Sequence, residues 1–215
     1  MGEDGVSGSV AEERIRAKAE ALLRQLFPDA RIIHELVLRQ GGVRIDIAAV
    51  RPGYIAALEI KSERDVLTRL PNQVKAAMEV TDLFGVCVAA KHADKIGKFY
   101  DDGAKVKLPW GAQLLVEADN GFDLKPYDAF HHEGGWRHRV GPRLCNPADR
   151  LEMLWAEELK LISQRPKLSR QPAKTHICES MTGRQIREAV CATLRARPFP
   201  RADPAIPFPA LVQAA

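Results

Sequence analysis

Apolar residues in this chain recur first at helical spacing and then at strand spacing. In SVAEERIRAKAEALLRQLF, residues 9–27, the positions Ile15, Ala19, Leu22, Leu23 and Leu26 fall on one helical face, and Pro28 ends the run. Ser9 followed by Glu12 has the spacing of a capping box. Three strand-like runs follow: IIHELVL (32–38), VRIDIAAV (43–50) and YIAALEI (54–60). The second carries Arg44 and Asp46 on one face, and the turn Arg51-Pro52-Gly53-Tyr54 joins it to the third. LPNQVKAAMEVTDLF (70–84) predicts a helix with Pro71 in its first turn. GVCVAA (85–90) predicts a short buried strand and AQLLVEA (112–118) the last one. The order α-β-β-β-α-β-(α)-β predicts an α/β core with a mixed sheet.

From Pro126 the pattern changes to a polar loop. Asn146 or Asp149 then starts a helix over ADRLEMLWAEELKLI, whose stripe of Leu151, Leu154, Trp155, Leu159 and Ile162 should pack on the core. KLSRQPAKTHICES is linker-like, MTGRQIREAVCATLRAR predicts a further helix capped by Thr182, and the proline-rich tail cannot continue it. The predicted division is a disordered segment 1–8, a core 9–125, a loop and helical region 126–197, and a tail 198–215. The turn LPWG (108–111) is expected to pack Trp110 on the core.

Composition narrows the class. No apolar run approaches the roughly 18 residues of a membrane span, and the first residues contain no apolar signal segment, so the expectation is a cytoplasmic protein without a membrane partner. Cys87, Cys145, Cys178 and Cys191 form no CxxC and read as free thiols. His131, His132 and His138, with Cys145 nearby, match no common zinc spacing and read as a solvated loop. The formal charge of +4 is uneven: residues 126–215 carry 14 Lys/Arg against 9 Asp/Glu, a net +5, and the first 125 carry 18 against 19. A basic C-terminal region suits a phosphate-backbone partner and equally suits an ordinary helical region.

Candidate chemistry centres on AALEIKSE. Side chains two apart on a strand share a face, which places Glu59 with Lys61. A two-residue turn at Pro52-Gly53 gives a pairing sum of 105, which sets Asp46 opposite Glu59 and Arg44 opposite Lys61. Like charges directly opposed repel, so a positive species is expected between the carboxylates. From the pattern alone two readings stand. One is a solvated sheet face with Lys61 neutralising Glu59 and Asp46. The other is a Mg²⁺ site, with Mn²⁺ as an alternative, built from Asp46, Glu59 and the Ile60 carbonyl, with Lys61 beside the metal-bound water.

RIDIAAVRPGYIAALEIKSE resembles the core of the PD-(D/E)XK nuclease superfamily, in which an Asp on one strand precedes Glu-x-Lys on the next. The longer match, through "RLPNQ" and "LPWG", resembles a group of small, poorly characterised bacterial and phage-type nuclease-like proteins. The resemblance implies a restriction-endonuclease-like fold with a C-terminal helical extension. It implies Asp46 and Glu59 as metal ligands, Lys61 as the water-positioning residue, Glu35 as a further metal or water ligand (with Glu20 competing for that role) and Gln73 as an orienting residue. Arg44, Ser62 and Arg69 are expected at the rim as phosphate contacts. Where RecB-like members carry a tyrosine after the glutamine, this chain has Ala77. The expected function is a metal-dependent deoxyribonuclease in repair, recombination or mobile-element processing, gripping DNA mainly through phosphates. The alternatives are a catalytically silent nuclease fold that binds DNA or docks a protein, and a junction-selective endonuclease acting as a homodimer.

Overall fold

The computed structural model describes residues 10–38, 42–98, 102–109, 111–124 and 146–207. Helix α1 (Val10–Leu26) leads into the antiparallel strands β1 (Arg31–Val37), β2 (Arg44–Arg51) and β3 (Tyr54–Lys61). Helix α2 (Leu70–Val80) crosses over to β4 (Leu83–Val88), which is parallel to β3. A small parallel pair, β5 (Ile96–Lys98) and β6 (Val106–Leu108), precedes β7 (Ala112–Ala118) and β8 (Gly121–Leu124). The six-stranded sheet has the order β1-β2-β3-β4-β7-β8 and is mixed, with parallel pairing at its centre and antiparallel pairing at both sides. Helices α3 (Pro147–Arg150), α4 (Ala156–Ser163), α5 (Arg170–Ser180) and α6 (Gly183–Ala196) complete the chain. Among the described residues no helix is long and apolar enough to cross a membrane.

The sheet is covered on both faces, which explains why β3 and β4 are buried along almost their whole length. On one face α1 inserts Ile15, Ala19 and Leu23 against Ile47, Ala56, Leu58 and Ile60. On the other, α2 and the C-terminal helices share one apolar cluster with Ala48, Ile55, Ala57 and Val86. The C-terminal region is therefore part of the same core. Asn146 caps α3 by accepting from the Ala148 N–H, and Thr182 forms a capping box with Gln185 on α6.

Four boundaries differ from the sequence pattern. The α2 helix stops at Val80 because Asp82 is drawn into the core: its carboxylate accepts the Ile55 N–H at 2.8 Å and pairs with Arg150 at 2.7 Å. Leu83 and Phe84 then join β4, which shifts that strand two residues ahead of its expected start. The single helix expected over 148–162 breaks at Leu154, whose backbone is extended. Arg197 Nη2 donates to the Met153 carbonyl at 3.0 Å and Arg170 Nη1 to that of Leu154, satisfying groups a continuous helix would have used. The linker-like stretch is helix α5, which buries Ala173, Lys174 and Ile177. Finally, β7 is followed by β8 and is not the last strand.

The tail is bound to the sheet. Ala202 bridges to Ile33, the His34 N–H donates to the Arg201 carbonyl at 2.9 Å, and the Ile32 N–H donates to the Asp203 carboxylate at 2.8 Å. Beneath it the buried Arg31 donates to the carbonyls of Leu194, Arg195 and Arg197, and so caps the C-terminus of α6.

One irregularity positions the site. In β1 both Ile33 and Leu36 face the α2 side, and in β2 so do Ile45 and Ala48. Residues three apart in a regular strand face opposite sides. Each strand has thus slipped by one residue, at Glu35 and Asp46, while their mutual register stays fixed from His34–Ile47 to Leu36–Ile45. Glu35 sits at φ 57°, a conformation that costs a side-chain-bearing residue on the order of 1 kcal/mol.

Candidate active site

Glu59 and Lys61 lie at the C-terminal end of the central strand and are 1% and 6% exposed. They face the α2 side, as Ile55 and Ala57 do. Lys61 Nζ is 2.6 Å from Glu59 Oε1, and Gln73, in the first turn of α2, donates to the same oxygen. The other oxygen, Glu59 Oε2, is buried with no hydrogen-bond partner. Burial and the nearby Asp46 charge push the Glu59 carboxyl up to about 7, against the pull of Lys61 and Gln73.

Asp46 reaches this end of β3 from the slipped position in β2. Its Oδ2 accepts the Ile60 N–H at 2.7 Å. The β2–β3 pairing sum of 105 holds from Arg51–Tyr54 to Ile47–Leu58 and ends there. Asp46 opposite Glu59 and Arg44 opposite Lys61 are therefore corrected, since the slip takes Asp46 off the ladder and its carboxylate replaces the lost backbone acceptor. The Lys61 carbonyl accepts from Ala89 on the β4 side. Strand alternation turns the Ile60 carbonyl to the opposite edge, toward β2 and Asp46.

A positive group does lie between carboxylates, but it is Arg16 of α1, only 2% exposed. Its Nη1 donates to the Asp46 carbonyl at 2.9 Å. Its Nη2 lies 2.6 Å from Glu12 Oε1, 3.3 Å from Asp46 Oδ1 and 3.4 Å from Glu35 Oε1. Burial opposes the charge on Arg16, and the surrounding carboxylates outweigh it and raise the pKa. Glu35 also pairs with Arg44 at 2.6 Å, and burial followed by the Asp46 charge raises its own pKa. Glu20 is turned instead to Arg24 and His34. Glu35 is therefore the acid that joins Asp46, through Arg16.

At the rim, Arg44 is exposed apart from its Glu35 contact. Ser62 is buried, and both its N–H and its hydroxyl donate to Asp65 Oδ2, so it faces inward. Its carbonyl can only accept, so the proton on His92, whose Nε2 is 3.0 Å away, sits on that nitrogen. Arg69, at the N-cap of α2, and Arg64 are exposed and form no ion pair among the described residues. Trp110, His131, His132, His138 and Cys145 lie outside the described residues. Among the described residues no three His, Cys, Asp or Glu side chains are grouped to hold a metal ion. The oxygen set at the end of β3 is two carboxylates and a backbone carbonyl.

Arg16 is the residue that sequence reasoning missed. Its signal is positional: it stands three residues before Ala19 and seven before Leu23, a charge on the stripe that α1 buries.

The family model for bacteriophage P4 protein cII matches residues 9–107, just under half of the chain, a span that contains every residue of the site described above. A solved structure of a protein of unknown function from Silicibacter pomeroyi aligns with a TM-score of 0.36 at 18% identity, covering 55% of this chain and 71% of that one. No curated protein matches the chain.

Proposed function

We propose that the chain is a metal-dependent nuclease of the PD-(D/E)XK kind, with a restriction-endonuclease-like core, that hydrolyses DNA phosphodiester bonds in repair, recombination or mobile-element processing. The observation that carries the reading is the buried, unpartnered Oε2 of Glu59 beside a second carboxylate. Glu12, Glu35, Asp46 and Glu59 gather around Arg16, Arg44 and Lys61. A desolvated carboxylate in such surroundings is stabilised by a cation, and an all-oxygen donor set suits Mg²⁺ or Mn²⁺. Asp46, Glu59 and the Ile60 carbonyl are the groups that would hold the ion. When bound, it would supply Lewis acidity to a phosphoryl oxygen and lower the pKa of its water.

The protein's own part in this scheme falls to five residues. Gln73 fixes the Glu59 carboxylate by donating to Oε1. The Ile60 N–H fixes Asp46 in the same way. Lys61 holds its ammonium 2.6 Å from Glu59 Oε1, where it would orient the attacking water and offset charge gathering on the phosphoryl oxygens. Arg69 and Arg44 at the rim supply phosphate contacts, which position DNA without reading sequence.

The test is cleavage of supercoiled, linear, single-stranded and branched DNA with Mg²⁺, Mn²⁺ or EDTA, comparing wild type with Lys61→Ala and Asp46→Ala. Metal-dependent cutting abolished in both variants is expected. DNA binding without cutting in all three proteins would replace this reading with a catalytically silent DNA-binding module.

A further inference from the structure

Arg16 stands where a second cation would have to stand. Resting on the metal-dependent reading, we infer that Arg16 is a built-in counter-ion that fills the Glu35 side of the acid set, so that the site takes one divalent cation, at Glu59, and Glu35 is not a ligand.

Three features of the structure support this. The Arg16 guanidinium is held on both sides of Asp46, by the carbonyl at 2.9 Å and by Oδ1 at 3.3 Å, and so leaves Oδ2 turned to the Ile60 N–H and the Glu59 side. Glu35 has no direct share in Glu59: its two oxygens go to Arg16 and Arg44. Arg16 is also buried and carries contacts to Glu12, Glu35 and Asp46 at once, so it cannot swing into solvent to admit an ion without breaking all of them. A guanidinium is always charged and planar, with several donors, and suits a permanent bridge among carboxylates better than an exchangeable ion. The Glu35 backbone, in the left-handed region at φ 57°, is what turns this carboxylate toward Arg16. Arg16 is thus a positioning residue acting through Asp46.

The experiment is Mn²⁺ titration of the full chain, followed by the electron paramagnetic resonance of the free ion. Wild type should bind one ion. Glu35→Gln should still bind one, with affinity changed by less than about tenfold. Arg16→Met, which removes the charge and keeps most of the volume, should bind two, and the double variant Arg16→Met/Glu35→Gln should return to one. Two ions on wild type, a loss of about tenfold or more in Glu35→Gln, or a single ion on folded Arg16→Met would each overturn the inference while leaving the nuclease reading intact. No ion on wild type would overturn both. If Arg16→Met fails to fold, the wild-type stoichiometry and the Glu35→Gln affinity decide the matter.

Discussion

Replacing Glu59 by glutamine should remove a pH dependence of stability that the fold creates by burying this carboxyl. The Glu59 pKa rises from 4.5 to about 7, first through burial and then through Asp46. At about 1.4 kcal/mol per unit the difference amounts to about 3 kcal/mol. A carboxyl whose folded pKa is raised holds its proton more tightly in the native state. Its contribution is complete below the unfolded value and disappears as pH rises through about 7. Glutamine keeps the shape and has no proton to lose. Urea unfolding of both proteins in EDTA, at intervals from pH 5 to pH 8, gives the difference in stability between them. That difference should move against wild type by about 2–3 kcal/mol across the range, since the unfolded carboxyl is already largely ionised at pH 5. Using the difference removes Glu35, His34 and His92, whose shifts are common to both proteins. A flat difference curve, or one moving in wild type's favour as pH rises, would refute the account of Glu59 as a strained anion. A second arm adds Mg²⁺ at pH 8. Wild type should gain about 2.7 kcal/mol at a hundredfold excess over Kd, and Glu59→Gln much less.

Three further outcomes are expected. Arg150→Met leaves Asp82 charged in a site where both side chains are fully buried, and should cost about 3–5 kcal/mol in urea unfolding, part of it recovered by adding Asp82→Asn. Gly85→Ala puts a methyl 2.7 Å from Leu115 Cδ1 and 2.8 Å from Leu58 Cδ2, so the two leucines must shift; thermal unfolding should report about 1–3 kcal/mol lost. At Glu35 the usual strand order should invert: Glu35→Gly should exceed Glu35→Ala in stability by about 1 kcal/mol, because only glycine takes a positive φ without cost.

The strands were legible where alternation is regular. The Pro52-Gly53 turn, with Gly53 at φ 67°, fixed the β2–β3 register as expected down to Ile47–Leu58. Glu59, Lys61 and Gln73 were brought together by two ordinary periodicities, the strand's two and the first turn of α2. The slip at Glu35 and Asp46 was hidden because nothing in HELVL or RIDI marks a left-handed glutamate. Arg16 was hidden because an arginine in α1 reads as surface until the facing strand supplies carboxylates. Helix α5 was obscured by a polar composition whose apolar stripe is little more than Ala173 and Ile177. The break at Leu154 depends on Arg170 and Arg197, distant residues that no local pattern contains.

The strap formed by the tail imposes an order in time. Ile32 and Asp203 are 171 residues apart, so their bond closes a loop that takes in most of the chain. Contacts of such span become favourable only after the intervening elements are in place, so they form late. Until then the outer edge of β1 presents unpaired amides and carbonyls next to the apolar side chains of Ile32, Ile33 and Leu36. During that interval strap closure, a first-order event, competes with pairing of β1 edges from two molecules, a second-order one. Refolding yield should therefore fall with protein concentration, and the species lost should be joined through β1.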